Sequence, residues 1–146
     1  MREGTPSPAR AHLGLLPLLK YPNYVNYYGA MAKYSTILVD GRSMAPTYNP
    51  GDWLMARWGD YAVDGFSLFR NKVRAGDAVV VERAEQPGIF YIKRISEIDV
   101  TSEKYPMIYV LSDNSEGTDS RTWGWLPIHY VKARVEFRVK KSKKKD

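Results

Sequence analysis

The sequence contains no cysteine and only two histidines among its 146 residues. The absence of thiols excludes disulfides, thiolate metal sites and a cysteine nucleophile. His12 and His129 are too few for a histidine-rich metal site. We therefore expect a protein that works without a bound metal ion and without a cofactor.

A long apolar run is also missing. A membrane-spanning helix needs about 20 consecutive apolar residues, and the best candidate, Leu13 to Leu19, is short and interrupted by Gly14 and Pro17. The sequence thus predicts no transmembrane helix. We expect a protein that is either soluble, and then cytoplasmic, or peripherally associated with a membrane.

The positive charge is concentrated at the carboxyl end. The net charge is +6, and residues 140–146 contain five lysines and one aspartate. Such a run usually forms a solvated, disordered tail, and the alternative is attraction to anionic lipid or nucleic acid. The rest of the chain has no aromatic-basic pattern typical of a nucleic-acid surface, so we expect no nucleic-acid partner.

Short β-branched and apolar segments separated by turns dominate the middle of the chain. No amphipathic helix of ten or more residues is predicted, and the length suits one domain. The sequence predicts a mainly β fold of antiparallel, coiled or barrel-like sheets. The predicted strands are Thr36–Val39, Trp53–Trp58, Ala78–Val81, Ile89–Ile95, Met107–Leu111 and Val131–Val139.

The segment Gly41-Arg42-Ser43-Met44-Ala45-Pro46-Thr47 directly follows the first predicted strand. Glycine permits a close backbone approach and proline fixes φ, so the segment predicts a turn that presents the Ser43 hydroxyl at a loop edge. A serine hydroxyl needs a base to become a nucleophile. The candidate base is Lys93.

Lys93 shares one face of its predicted strand with Ile89, Tyr91 and Ile95. Burial among apolar neighbours lowers a lysine pKa by up to about 3–5 units, which is enough to give a neutral amine. Arg94 points to the other face and is expected to pair with a carboxylate. Two alternatives remain: Lys93 is an exposed edge lysine, or His129 is the base.

The order and approximate spacing of several motifs resemble the type I signal peptidase family over residues 36–139. The motifs are Gly41-x-Ser43-Met44-x-Pro46-Thr47 with Gly51-Asp52, Gly76-Asp77, Tyr91-Ile92-Lys93-Arg94, Asp113-Asn114, and Asp119-Ser120-Arg121-x-x-Gly124-x-x-Pro127. Among small soluble members, the family includes proteases that mature nickel superoxide dismutase. The resemblance implies coiled antiparallel sheets, or a partly open barrel, of the signal peptidase–LexA type.

The resemblance also implies a serine endopeptidase with a Ser–Lys dyad. Ser43 would be the nucleophile, with its own backbone N–H in the oxyanion hole, and Lys93 the general base. Asp119 and Arg121 would form a structural ion pair. A hydroxyl in the last motif would orient the lysine, and Thr118 is the candidate, with Ser115 and Gly117 as alternatives under a different gap. The substrate, the N-terminal segment of a protein, would lie as an added strand along a groove lined by Gly41, Met44 and Pro46.

The chain departs from the family pattern in three places. Ser112 stands where the family usually has glycine, the loop from Asn114 to Asp119 is one residue short, and we expect no membrane anchor of the usual kind. The resulting domain prediction is an extension at 1–35, partly disordered, a catalytic domain at 36–139, and a basic disordered tail at 140–146. Contact with a membrane surface is the expected alternative to a soluble state.

Two other functions compete with leader removal. A self-cleaving regulator of the LexA type uses a similar dyad but has an upstream DNA-binding domain. The 42 residues before Ser43 contain no helix-turn-helix pattern that would predict such a domain. A non-catalytic β module that binds a peptide strand would need neither Ser43 nor Lys93.

Overall fold

The computed structural model describes residues 10–13, as backbone only, together with residues 34–63 and 71–143. Most of the predicted extension at 1–35 and residues 144–146 of the predicted tail at 140–146 lie outside these ranges, and the domain boundaries stay predictions. Arg10–Leu13 forms a strand within the extension that was predicted to be partly disordered.

The described residues form ten strands and very little helix. The strands are β1 (Arg10–Leu13), β2 (Tyr34–Asp40), β3 (Trp53–Trp58), β4 (Tyr61–Val63), β5 (Asn71–Val73), β6 (Ala78–Val81), β7 (Tyr91–Asp99), β8 (Met107–Leu111), β9 (Leu126–Pro127) and β10 (Val131–Lys140). A one-turn helix, α1 (Ser120–Trp123), and a 3₁₀ turn at Ile128–Tyr130 complete them. All six predicted strands are present, with their ends shifted by a few residues. The four strands that were not predicted, β1, β4, β5 and β9, have two to four residues each and are too short to show a period.

Eight strands form one strongly curled antiparallel half-barrel, in the order β1-β2-β3-β10-β6-β7-β8-β9. The strand β1 pairs with β2 and also meets β7, where Arg10 is opposite Tyr91. A separate parallel pair joins β4 to β5. The prediction of a mainly β fold with coiled antiparallel sheets is confirmed.

The curled sheet has a hydrophobic cluster on each face. The strand β6 is buried along its whole length: Ala78 and Val80 belong to one cluster, and Val79 and Val81 to the other. The unbroken apolar run of this strand is thus buried on both faces of the sheet. Apolar burial on two sides stabilises the strands that carry the candidate site.

Apolar and polar residues alternate along the sequence of β10, but the burial of its side chains does not follow this alternation at the end of the strand. Val131, Ala133 and Val135 are buried as expected, but Phe137 and Val139 are 57% and 50% exposed. The pairing with β3 shifts register between Val135 and Phe137, and such a bulge reverses the side-chain alternation. The strand β10 ends at Lys140, and the Ser142 N–H donates a hydrogen bond to Asp52.

The helical content of residues 10–13, 34–63 and 71–143 includes no helix of the length and apolarity that crossing a membrane requires.

Candidate functional site

Ser43 lies in the loop that follows β2. Gly41 has φ of +89°, a left-handed conformation that glycine adopts without steric cost, and it turns the chain away from the strand. The Ser43 residue is fully buried. Its carbonyl accepts a 2.8 Å hydrogen bond from the Asn114 N–H, and the Asn114 side chain donates to the Arg42 carbonyl. The loop that begins at Ser112 therefore fixes the backbone around the serine.

Lys93 lies in β7, opposite Val79 of β6. It is fully buried, and its strand neighbours Tyr91 and Ile95 are also buried, as the predicted face required. The Nζ atom lies 5.7 Å from the ring centroids of both Tyr91 and Trp123. This environment rules out the alternative of an exposed edge lysine.

The two buried side chains meet. Lys93 Nζ is 3.1 Å from Ser43 Oγ, within hydrogen-bond distance. Burial lowers the pKa of Lys93 to about 8; Asp119 and Asp113 oppose this shift and Arg121 adds to it. Desolvation is the dominant cause because it disfavours the charged ammonium. A substantial neutral fraction near neutral pH allows the amine to accept a hydroxyl proton.

A second hydroxyl contacts the amine, and it belongs to Ser112. The distance from Lys93 Nζ to Ser112 Oγ is 2.9 Å. Thr118, the predicted orienting residue, is exposed, and its backbone carbonyl accepts a long bond of 3.4 Å from the Ser112 hydroxyl. The alternatives do not supply the hydroxyl either, because Ser115 is exposed and Gly117 has no side chain.

Asp119 and Arg121 form the predicted ion pair, with two N–O distances of 2.9 Å. Asp119 is buried and also accepts a 2.8 Å bond from the Ser112 N–H. Burial raises the pKa of Asp119, but the hydrogen bonds from Arg121 and Ser112 outweigh it, so its pKa lies below the ordinary value. The pair therefore acts on the site through the backbone of Ser112.

The other predicted residues occupy different environments. Arg94 pairs with the Asp113 carboxylate through two bonds of 2.9 and 2.8 Å, as expected. Met44, predicted to line a substrate groove, is fully buried in one hydrophobic cluster. Its sulfur accepts a bond from the Asp113 N–H, so it supports the loop rather than a surface groove. Pro46 is exposed and Gly41 is buried.

His129, the other candidate base, is exposed and packs edge-on against Tyr105 and Tyr130. It lines a cavity of about 730 Å³ to which neither Ser43 nor Lys93 contributes. The structure thus separates His129 from the serine. In the described part of the chain, histidine and acidic side chains form no group of three that could hold a metal ion.

Ser112 and Gly117 have only weak signals in the sequence. Ser112 was visible only as a departure from the family pattern, and a serine at the start of a polar loop suggests solvent exposure. Its burial depends on Asp119, seven residues later, folding back onto its N–H. Gly117 has no side chain, so a sequence search for functional groups overlooks it.

The family model for signal peptidase, peptidase S26, matches residues 23–98, which is more than half of the chain. The match includes Ser43 and Lys93 and ends before Ser112 and Asp119. Comparison with curated proteins finds no significant match.

Proposed function

Because the chain belongs to the signal peptidase family, peptidase S26, and the family supports serine peptidase activity, we propose that Ser43 and Lys93 form the catalytic dyad of an endopeptidase that removes an N-terminal leader or signal peptide. The observation that carries the proposal is the 3.1 Å contact between two fully buried side chains, Lys93 Nζ and Ser43 Oγ. Burial of a lysine side chain costs free energy of folding. Buried titratable groups of this kind are concentrated at functional sites.

The dyad accounts for both halves of peptide hydrolysis. Ser43 Oγ attacks the scissile carbonyl carbon while its proton passes to Lys93 Nζ. The oxyanion that forms is stabilised by the backbone N–H of Ser43. The carbon–nitrogen bond then breaks, and Lys93 returns the proton to the leaving amine. The product at this stage is an ester of the leader with Ser43.

Water completes the reaction. Lys93, neutral again, accepts a proton from a water molecule that attacks the ester carbonyl. The bond to Ser43 Oγ breaks, the serine recovers its proton, and the leader leaves with a new carboxylate. No cofactor enters either step.

We place the substrate as an extended strand along β2. One edge of β2 pairs with β3, and the other edge pairs with β1 along Ile37 to Asp40. The pairing with β1 supports the proposal, because this edge, which leads directly to Ser43, already pairs with an extended segment of the chain itself. A substrate on the same edge would displace β1.

A membrane surface is the proposed second partner. Phe137 and Val139 are exposed, and Phe137 lies opposite Met55 while Lys140 lies opposite Trp53 in the strand register. Lysines at 140, 141 and 143 follow directly. We call Trp53, Met55, Phe137, Val139, Lys140 and Lys141 the strand-end patch. Apolar side chains beside lysines suit the surface of an anionic bilayer.

The test of the dyad uses peptides that carry a leader ending in small-x-small residues, with cleavage followed by mass spectrometry. The native protein should cut them in trans, and Ser43→Ala and Lys93→Met should each abolish cutting. The matched controls, Ser102→Ala and Lys104→Met, change exposed residues and should cut at the native rate.

Other outcomes identify the competing functions. Cutting of the chain itself, with no cutting in trans, would indicate a LexA-type regulator. Peptide binding that both dyad variants retain, without any cutting, would indicate a non-catalytic module.

A further inference from the structure

Asp52 closes the loop that carries Ser43. The Asp52 carbonyl accepts a 2.9 Å hydrogen bond from the Val39 N–H, which joins the two ends of the loop at its base. Asp52 is buried, and its Oδ2 atom accepts a 2.9 Å bond from the Asn49 N–H within the loop. The position of Asp52 therefore fixes the position of the loop.

The carboxyl end of the chain supplies two further donors to this carboxylate. The Ser142 N–H donates a 2.8 Å hydrogen bond to Asp52 Oδ1. Arg138 donates to Asp52 Oδ2 over a longer distance of 3.4 Å, and to the Thr47 carbonyl at 3.0 Å. Residues 138–142, which we call the terminal strap, thus contact the loop both at its base and in its middle.

Gly51 allows the terminal strap to pack directly on the loop. Its φ is +91°, which glycine adopts without steric cost. A Cβ at this position would lie 2.8 Å from Ser142 Cβ, well inside the contact distance of two non-bonded carbon atoms. The base of the loop and the strap are therefore in close contact at this point.

Asp52 depends on these donors because it is both charged and buried. Burial raises the pKa of Asp52, but the hydrogen bonds from Asn49 and Ser142, together with the charge of Arg138, outweigh burial, so the pKa lies below its ordinary value. The carboxylate is therefore ionised at neutral pH. A buried anion that loses a donor is incompletely paired, which favours rearrangement of the loop around it.

The loop connects Asp52 to the proposed nucleophile. The Tyr48 N–H donates a 2.9 Å bond to the carbonyl of Met44, the residue after Ser43. The contact between Ser43 Oγ and Lys93 Nζ is 3.1 Å, and a misplacement of about 1 Å between reacting groups costs on the order of 10²-fold in rate. A rearrangement of the loop would therefore slow the reaction.

We propose that Arg138 and Ser142 are positioning residues for Ser43, and that they act through the Asp52 carboxylate. This inference rests on the proposed function of the dyad. The terminal strap contributes no reacting group, and it holds the loop that presents the nucleophile. The end of β10 and the residues that follow it are thereby needed for the full rate of cleavage.

The experiment measures cleavage of the leader peptide by two strap variants. Ser142→Pro removes the N–H donor, and Arg138→Met removes the guanidinium. Each should lower kcat on the order of tenfold and keep KM within about twofold of the native value, because the strap acts on the nucleophile. The matched control Ser142→Ala keeps the N–H and should retain most of the native kcat.

The variant Asp52→Asn tests the route of this effect. Its amide carries no charge, so Arg138 has no carboxylate to hold. Arg138→Met should therefore lower kcat less than about twofold when it is combined with Asp52→Asn, since two changes on one route are not additive. An equal loss of kcat in both backgrounds would show that Arg138 does not act through Asp52.

Hydrogen exchange followed by NMR reports on the loop without any activity. The Tyr48 N–H, which donates to the Met44 carbonyl, should exchange severalfold faster in both strap variants, because the loop opens more often. The N–H groups of β6 should exchange at the native rate. Native exchange of Tyr48 in both variants would contradict the role of the strap.

The outcomes separate the two proposals. If the native protein cuts no leader peptide, the proposed function fails, and hydrogen exchange still decides whether the strap holds the loop. If the native protein cuts and both strap variants keep the native kcat, the positioning role is wrong. Where urea unfolding shows that Ser142→Pro has lost its fold, Arg138→Met decides by the same criteria.

Discussion

Lys93 is held in a state that serves chemistry at the expense of stability. Its pKa of about 8 is caused mainly by burial, whereas an unfolded lysine titrates near about 10.4. The charged form is therefore disfavoured in the fold, and the neutral amine is available close to physiological pH. A catalytic base is most effective when its pKa lies near the working pH.

The rate should follow the titration of this amine. We expect kcat/KM for a leader peptide to rise with pH through about 8 and to level off above it, since only the neutral amine accepts the serine proton. A stopped-flow or fluorescence assay from pH 5.5 to 10 measures the profile. A profile that is flat across this range would contradict a lysine base.

The same pKa predicts how stability depends on pH. Between about pH 8 and 10.4 the unfolded chain holds a proton on Lys93 that the folded chain has lost, so the free energy of unfolding rises with pH across this window. Compared with Lys93→Met, which lacks the titration, the native protein should gain on the order of 3 kcal/mol from pH 7.5 to pH 10.5.

Urea unfolding of both proteins at the two pH values checks this expectation. Other titrating groups are common to the two proteins, so their effects cancel in the difference. If the difference in free energy of unfolding between the native protein and Lys93→Met were the same at both pH values, Lys93 would have an ordinary lysine pKa in the folded protein.

Ser43 and Lys93 were predictable as a pair because each carries a local signal. The glycine and proline around Ser43 indicate a turn, and the apolar residues that alternate with Lys93 indicate burial. Ser112 was not predictable in this way, because its burial depends on a loop that folds back. The environment of Met44 was not predictable either, because its sulfur and apolar chain suit a groove and a core equally, and here it packs in the core.

At the scale of elements, the strands were easier to predict than the connections between them. The apolar runs of β6 and β8, and the apolar residues that alternate with Lys93 in β7, give these strands clear local patterns. The bulge in β10 has no such pattern in the sequence, and it leaves Phe137 and Val139 exposed at the surface. The pairing of β1 with β2 and β7 joins segments far apart in the sequence, so no local pattern could indicate it.

The strand β1 should compete with the substrate. It occupies the edge of β2 that we assign to the leader, so weaker β1 pairing should favour binding in trans. In a strand, alternate N–H groups point to opposite sides, so one of residues 11 and 12 donates toward β2. The double variant Ala11→Pro/His12→Pro removes both donors, one of which supports this pairing.

Loss of one hydrogen bond between β1 and β2 costs about 1 kcal/mol. We therefore expect kcat/KM for the leader peptide to rise roughly fivefold in the proline variant, mostly through a lower KM. The control Ala11→Ser/His12→Ser changes both side chains but keeps the N–H groups, and should show a smaller effect. A fall in kcat/KM in the proline variant alone would mean that β1 builds the binding site instead of blocking it.

For the whole molecule, the distribution of apolar and basic residues gives the proposed membrane contact a physical basis. Lysines near an anionic bilayer contribute about 1 kcal/mol each, and exposed apolar side chains add area that water solvates poorly. The strand-end patch combines both at the carboxyl end of β10. Binding should therefore depend on lipid charge and on salt.

Sedimentation with vesicles provides the last test. The native protein should bind phosphatidylserine-containing vesicles at low salt and bind weakly to vesicles of phosphatidylcholine alone. Phe137→Ser/Val139→Ser should reduce binding severalfold, while Val100→Ser/Tyr105→Ser, which changes two exposed residues outside the patch, should not. At high ionic strength the attraction between charges extends over only a few ångströms. We therefore expect 0.5 M NaCl to release most of the native protein from the vesicles. Equal binding by both double variants would assign the contact to a different surface of the molecule.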